Sequence, residues 1–171
     1  MKVLSKSFLK RPTLIVAKDL LGKYLVRRAD GKIQRFVITE VEAYDGFKDK
    51  ASHASRGLTK RNAPMFGEAG RWYVYFTYGM HYMLNIVTGP KNYPAAVLIR
   101  GVLGINGPAR VTKYLKIDKK FNNKKAILKN KLWLESNPNF KNLKFKIENY
   151  PRIGVNYAGP IWSKKKWRFS I

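Results

Sequence analysis

Apolar and polar residues alternate along several short segments of the chain, and this period of two is typical of strands. The segments with this pattern are residues 23–28, 34–44, 72–77, 82–87, 95–103, 153–158 and 167–171. Apolar residues spaced four apart predict short helices over residues 14–21 and 109–115, the first with Thr13 as N-cap and Gly22 as C-cap. Asp30-Gly31, between the first two strands, is a strong hairpin signal.

Other segments lack such a period. Residues 45–70 are rich in Gly, Ser, Lys and Arg, and a long irregular segment in a compact domain is usually functional or disordered. Residues 116–131 are rich in Lys and Asn and predict a solvated loop or partial helix, and residues 90–94 predict a short turn. We therefore expect one mixed α/β (α+β) domain over residues 1–171. It should contain a curved, largely antiparallel sheet, peripheral helices and a protruding β-hairpin.

The net charge of the chain indicates a polyanionic partner. The chain carries 35 Lys and Arg residues against 10 acids, a formal net charge of +25. Such a surface attracts nucleic acids over several ångströms, although a generally Lys-rich proteome would leave the same excess. An anionic membrane is a weaker alternative because no basic amphipathic anchor stands out.

The chain has no cysteine, which excludes disulfides, thiol nucleophiles and Cys-ligated metals. With no apolar segment long enough to span a bilayer, we expect a cytoplasmic protein.

The acids of this basic chain are concentrated in one stretch. Five of the ten lie between residues 40 and 68, namely Glu40, Glu42, Asp45, Asp49 and Glu68. The strand period places residues 37, 39, 41 and 43 on the core face and residues 38, 40, 42 and 44 on the open face. Glu42 and Tyr44 would then form a carboxylate beside an aromatic ring, which suits activation of water next to a flat ligand. The alternative is a solvated polar strand face.

Residues 72–82 are unusually aromatic. Alternation puts Trp72, Val74 and Phe76 toward the core and leaves Tyr73 and Tyr75 free to stack on bases. Tyr78-Gly79-Met80 at the hairpin tip resembles a wedge of the kind that minor-groove proteins insert between base steps. The alternative is that the aromatic strand is only core.

Four further polar residues are candidates for the site. His53 lies in the irregular segment and could be a base, a phosphate donor or a structural histidine, whereas a zinc site is not expected without further ligands. Asn85, on an apolar strand, is either part of a structural network or a specificity group. Arg61 and Arg100 are candidate phosphate contacts, although no single basic residue is diagnostic here.

The order and spacing of these residues resemble one family over nearly the whole chain. The matching motifs are Thr39-Glu40-Val41-Glu42-Ala43-Tyr44, Asp49-Lys50-Ala51-Ser52-His53, Thr59-Lys60-Arg61-Asn62, Tyr73-Val74-Tyr75, Tyr78-Gly79-Met80-His81, Asn85-Ile86-Val87, Val97-Leu98-Ile99-Arg100 and Pro151-Arg152-Ile153-Gly154-Val155. In this arrangement the chain is similar to the 3-methyladenine DNA glycosylases of the alkyladenine type. The match is weak between about residues 116 and 150.

The resemblance implies a role for each candidate. Glu42 activates the attacking water. Tyr44, His53 and Tyr75 surround the extruded base, and Asn85 excludes guanine. Tyr78, with Met80 beside it, enters the minor groove. Arg100 lies near the base pocket and the DNA backbone, and Arg61 stays a candidate phosphate contact on its charge alone.

The resemblance also implies an activity. We expect a monomeric, monofunctional glycosylase that acts on double-stranded DNA containing damaged purines, associates with the nucleoid, and needs no metal or cofactor. Two rivals are a non-catalytic nucleic-acid-binding protein and a formyltransferase-like member acting on another substrate. The first leaves the acidic cluster unexplained, and the second requires a folate site for which no motif is found.

Overall fold

The computed structural model describes residues 2–142 and 145–171. Within these residues the helices are α1 (Lys6–Leu9), α2 (Thr13–Leu20), α3 (Pro108–Tyr114) and α4 (Gly159–Ser163). The strands are β1 (Tyr24–Ala29), β2 (Lys32–Asp45), β3 (Trp72–Thr77), β4 (His81–Val87), β5 (Ala95–Val102), β6 (Ile105–Asn106), β7 (Leu132–Glu135), β8 (Glu148–Tyr150) and β9 (Arg168–Ser170). No helix of the described residues is both long enough and apolar enough to cross a membrane.

The strands form one antiparallel sheet in the order β3-β4-β5-β2-β1-β7, with β9 also pairing with β2, and β8 with β9. The long strand β2 joins two halves, because its first part pairs with β1 and its second part with β5. At the β1–β2 turn Asp30 and Gly31 both have positive φ, 50° and 71°, as a tight hairpin of this type requires. The predicted fold class is confirmed.

The main core lies between the sheet and the helices α2 and α3. Val16 and Leu20 of α2 pack there with Trp72 and Ile86 from the sheet. The indole of Trp72 donates a hydrogen bond of 3.1 Å to the Leu132 carbonyl, and so connects β3 to β7 across the core. One face of the β3–β5 part of the sheet is therefore closed, which leaves the opposite face for a site.

The structure differs from the predictions at four places in the local structure. Residues 153–158 are not a strand, because Gly154 adopts a φ of 74° and β9 pairs instead with β8. Strand β7 was not predicted at all. Thr13 is the first residue of α2 rather than its N-cap, and its hydroxyl donates to Asp45 at 2.8 Å. Gly22, with a φ of 77°, follows the C-cap residue Leu21.

The face assignment within β2 and β3 also needs correction. The pairing of β2 with β5 shifts register between Ile38 and Val41, so Ile38 joins Val41 and Ala43 in the core instead of facing outward. A bulge reverses the alternation of side chains past it, which a strict period of two cannot anticipate. Phe76 is 45% exposed rather than buried, because it lies near the tip of the β3–β4 hairpin, where its ring packs against that of Tyr82.

Candidate active site

A cavity of about 280 Å³ opens on the face of the sheet opposite the main core. Strands β2 to β5 provide its floor, and residues from the irregular segment and from the segment after β8 form its walls. The predicted site residues among its lining are Glu42, Tyr44, His53, Tyr75, Tyr78, Asn85 and Arg100. The structure thus brings together side chains that are up to 58 positions apart in the sequence, from Glu42 to Arg100.

Glu42 is fully buried at the floor of the cavity and is held by several donors. The Tyr44 hydroxyl donates to Oε2 at 2.8 Å, and the backbone N–H of Ile153 donates to Oε1 at 2.8 Å. Nη1 of Arg100 lies 3.3 Å from the same Oε1. The carboxylate is therefore fixed in position, and buried polar groups with such partners are held rigidly.

Opposing effects act on the protonation of Glu42. Burial raises the pKa of its carboxyl group, whereas the positive charge of Arg100 and the hydrogen bonds from Ile153 and Tyr44 lower it. Burial, and then the negative charge of Glu42, raise the pKa of Tyr44 well above its usual value. Tyr44 consequently remains a neutral hydrogen-bond donor to the carboxylate.

Aromatic rings form one wall. His53 Nδ1 and the Tyr73 hydroxyl share a hydrogen bond of 3.0 Å, and the rings of His53 and Tyr75 meet edge to face with centroids 4.6 Å apart. Burial, and then the charge of Arg61, lower the pKa of His53, so its imidazole is neutral at pH 7. Burial raises the pKa of Tyr73 to about 12. The wall is therefore aromatic and uncharged near neutral pH.

Asn85 lies buried at the edge of this wall. Its Nδ2 donates to the Tyr73 carbonyl at 3.1 Å and to the Met83 carbonyl at 3.4 Å. Both bonds hold the amide against the cavity, where a flat ligand would meet its edge. The structure places this residue at the predicted location, and its predicted role as a specificity group stays a prediction.

The two predicted arginines occupy different surroundings. Nη2 of Arg61 donates to the Phe76 carbonyl at 3.0 Å, and its guanidinium lies 5.3 Å from the centre of the Tyr75 ring. Arg100 instead forms ion pairs with Glu40 and Glu42 at 3.2 and 3.3 Å. Arg100 is thus primarily a partner of the acidic residues, and contacts from either arginine to DNA stay predictions.

The β3–β4 hairpin presents its tip to solvent beside the cavity. Tyr78 is 81% exposed and Met80 is 67% exposed, and Tyr78 has a φ of 52°. Tyr78 also lines the cavity mouth. A large aromatic side chain held outward beside a pocket has the location that a wedge requires.

Sequence reasoning missed a buried ion pair behind Glu42. The side chains of Arg152 and Asp49 are both 0% exposed and form two hydrogen bonds of 2.6 and 2.8 Å. The guanidinium also donates to the Ala43 carbonyl at 2.9 Å and lies 4.9 Å from the centre of the Tyr44 ring. Since Arg152 precedes Ile153, this pair anchors the backbone N–H that reaches Glu42. Each of the two residues belongs to one of the motifs shared with the family, Asp49 to residues 49–53 and Arg152 to residues 151–155. Nothing local in the sequence indicates that they pair.

The side chains in the described parts of the chain do not form a cluster of three His, Cys, Asp or Glu residues suited to a metal ion. The site consists instead of one buried carboxylate, its donors and an uncharged aromatic wall.

Sequence comparison gives these features a context. The profile of the methylpurine-DNA glycosylase family matches residues 7–106 and 102–171. A protein of Sodalis glossinidius is 47% identical over 98% of this chain and 95% of its own length. A protein of Legionella pneumophila strain Corby is 45% identical over 100% of this chain and 95% of its own length. One of Methanocella arvoryzae is 41% identical over 99% of this chain and 92% of its own length. All three are provisionally named 3-methyladenine DNA glycosylases.

Proposed function

The chain belongs to the methylpurine-DNA glycosylase family, and from that premise we propose that it excises alkylated or deaminated purines from duplex DNA by hydrolysing the N-glycosidic bond. The candidate substrates are 3-methyladenine, 7-methylguanine, hypoxanthine and ethenoadenine. The observation that carries the proposal is the buried Glu42 carboxylate on the floor of an aromatic cavity, held by two hydrogen bonds and an ion pair with Arg100. The protein acts as a monomer on DNA, in the cytoplasm and in association with the nucleoid.

The target base reaches the cavity by leaving the helix. The bond to be broken lies within a stacked duplex, so the nucleotide must be extruded at a cost of about a few kcal/mol. Tyr78, exposed beside the cavity mouth, fills the gap in the stack, with Met80 next to it on the same tip. Damaged bases pair and stack less well, which lowers the cost of their extrusion.

The uncharged aromatic wall favours a cationic base. Alkylation of a ring nitrogen gives a purine a positive charge, and ring faces attract cations. Tyr44, Tyr75 and the neutral His53 can surround such a base without electrostatic repulsion. A protonated imidazole here would repel it, so the lowered pKa of His53 suits this substrate class. The held amide of Asn85 disfavours undamaged guanine, whose exocyclic amine meets it without the gain in stacking that a positively charged, alkylated ring brings.

Glu42 carries the chemical step. As the C1′–N bond breaks, its electron pair leaves with the purine and the deoxyribose gains oxocarbenium character. Glu42 stabilises that charge and accepts a proton from water, whose oxygen forms the new bond to C1′. Arg100 and the Ile153 N–H help to keep the carboxylate ionised despite its burial.

The reaction ends at an abasic site without strand cleavage. A glycosylase with lyase activity needs an amine nucleophile at the sugar, and the described residues that line the cavity include no lysine. The products are therefore the free purine and intact DNA with one abasic position.

The decisive experiment uses duplex oligonucleotides with a single hypoxanthine or ethenoadenine, together with methylated DNA. Alkali treatment should reveal breaks with the parent protein, whereas untreated DNA should stay intact. Glu42→Gln should abolish excision and keep affinity for the lesion duplex. Glu68→Gln is the matched control, because Glu68 is a surface partner of Lys6. Tight DNA binding without breaks on any substrate would favour the non-catalytic binding protein instead.

A further inference from the structure

The Lys-rich segment that matches the family weakly forms a second concave surface. Its cationic lining consists of Arg27, Lys116, Lys120, Lys124, Lys129 and Lys131. We call this surface the basic groove. It encloses about 360 Å³, and Asp118 is the acid among the described residues that line it. The proposed excision reaction does not use any of these side chains.

The basic groove lies on the side of the sheet that the active-site cavity does not face. Along β3 the Tyr73 side chain lines the cavity, whereas the next side chain, Trp72, points through the core. The Trp72 indole donates to the carbonyl of Leu132, the residue that follows Lys131 of the groove. Since adjacent side chains of a strand point to opposite faces, the core separates the two concave surfaces.

The groove is built from ordered backbone. The Trp72 N–H donates to the Lys124 carbonyl at 2.8 Å, which attaches this segment to the edge of β3. Ala126 is buried, and its N–H donates to the Gly70 carbonyl at 2.8 Å. On the other wall, Arg27 Nε donates to the Leu115 carbonyl at 2.9 Å. These anchors hold the lysine-bearing backbone in place before any ligand binds.

Most of the positive charge in the groove has no carboxylate partner. Asp118 accepts the backbone N–H of Lys120 at 2.8 Å, and Lys116 pairs with Asp30. Within residues 2–142 and 145–171, the ammonium groups of the other groove lysines have no carboxylate within ion-pair distance. Four neighbouring ammonium groups with no carboxylate in ion-pair contact make a favourable surface for a row of phosphates.

We propose that the basic groove binds the phosphate backbone of a second segment of duplex DNA while the first segment occupies the active-site face. A straight duplex at the cavity cannot also reach a surface across the core. A lipid surface is a poorer fit, because the apolar side chain in the groove, Phe121, is covered by the Arg27 guanidinium at 4.8 Å from its ring centre. Simultaneous binding of two segments lets the protein move from one stretch of DNA to another without passing through free solution.

A bridging assay with undamaged DNA tests this proposal. One duplex is immobilised on beads, and a second, fluorescently labelled duplex is added with the full chain at low salt. Sedimentation velocity of the soluble mixture then reports whether one chain carries two duplexes. Neither measurement needs a lesion or turnover. The outcome of the bridging assay is therefore independent of whether the protein excises bases.

Two triple variants with equal charge change isolate the groove. Lys120→Gln/Lys124→Gln/Lys129→Gln alters the groove, and Lys2→Gln/Lys10→Gln/Lys91→Gln alters exposed lysines elsewhere. We expect the groove variant to bridge much more weakly than the parent, and the control to bridge as the parent does. For the second duplex, the slope of log K against log salt should fall by roughly three in the groove variant, about one for each phosphate contact removed.

Three results of the bridging assay would overturn the proposal. The first is that the parent protein does not bridge duplexes, and the second is that both triple variants lose bridging equally. The third is that bridging occurs only in complexes that contain two protein chains. Vesicles with anionic headgroups are tested in parallel. Groove-dependent binding to vesicles with no groove-dependent binding to a second duplex would assign the surface to a membrane instead.

Discussion

Substitution of Asp49 by Asn removes one charge from the buried ion pair behind the proposed catalytic carboxylate. The side chain keeps its size, so packing is little changed, but the Arg152 guanidinium loses its counter-charge at a position where the side chain is 0% exposed. The Arg152 side chain still reaches the Ala43 carbonyl and the Tyr44 ring, so it cannot move to solvent without breaking further contacts. The perturbation therefore leaves a charge buried and unpaired.

The expected loss of stability follows from that charge. Removing one partner of a buried ion pair destabilises a protein by about 3–5 kcal/mol. For a domain of this size, about 2–4 °C of Tm corresponds to each kcal/mol. We therefore expect Tm to fall by roughly 6–20 °C in Asp49→Asn. Glu68→Gln removes one partner of the exposed pair with Lys6 and should leave Tm close to that of the parent.

Urea unfolding and calorimetry of the parent and both variants measure this difference. Excision is then compared at a temperature where Asp49→Asn is still folded. There its kcat should fall while its affinity for the lesion duplex holds, because the pair anchors the Ile153 N–H at Glu42. Equal Tm values for Asp49→Asn and Glu68→Gln would refute the assignment of a stabilising role to the buried pair.

Three further predictions concern the proposed reaction. Excision should fall as pH decreases through the raised pKa of Glu42, since only the ionised carboxylate accepts a proton, and Arg100→Gln should move this limb to higher pH. Single-turnover rates across pH measure it, and an unmoved limb would contradict the role of Arg100. Tyr78→Ala should slow excision from duplex DNA more than from single strands, as measured on matched oligonucleotides, and equal slowing would argue against a wedge. Asn85→Ala should increase release of guanine from undamaged DNA relative to its activity on hypoxanthine, as chromatography of free bases would show. Unchanged guanine release would contradict the role of Asn85 in excluding undamaged guanine.

Local signals account for the parts of the fold that the sequence predicts well. Asp30 and Gly31 form the predicted turn because the required positive φ values depend on those two residues alone. The hairpin at residues 72–87 and the helix near residue 109 follow from short-range patterns in the same way. Glu42 and Tyr44 both reach the cavity, although Glu42 proves to be fully buried instead of lying on an open face.

Features that depend on distant partners escaped sequence reasoning. The register shift in β2 becomes visible only when β5 lies beside it, and it brings Ile38 into the core. Arg152 and Asp49 are 103 positions apart, and neither position is unusual in its own segment. Residues 153–158 have alternating side chains, yet Gly154 and the buried Arg152 turn this segment toward Glu42 instead of into the sheet.

The position of Tyr44 constrains how this pocket can change over evolution. Its ring lines the space for the base, and its hydroxyl donates to the carboxylate proposed to activate water. A substitution that reshapes the pocket at this position therefore also alters the reactivity of Glu42. Asn85 and Met83 line the same pocket, and no hydrogen bond among the described residues joins their side chains to that carboxylate. Substitutions that change the range of accepted lesions should therefore accumulate at positions such as 83 and 85. Tyr44 should stay unchanged, because its hydroxyl also donates a hydrogen bond to Glu42.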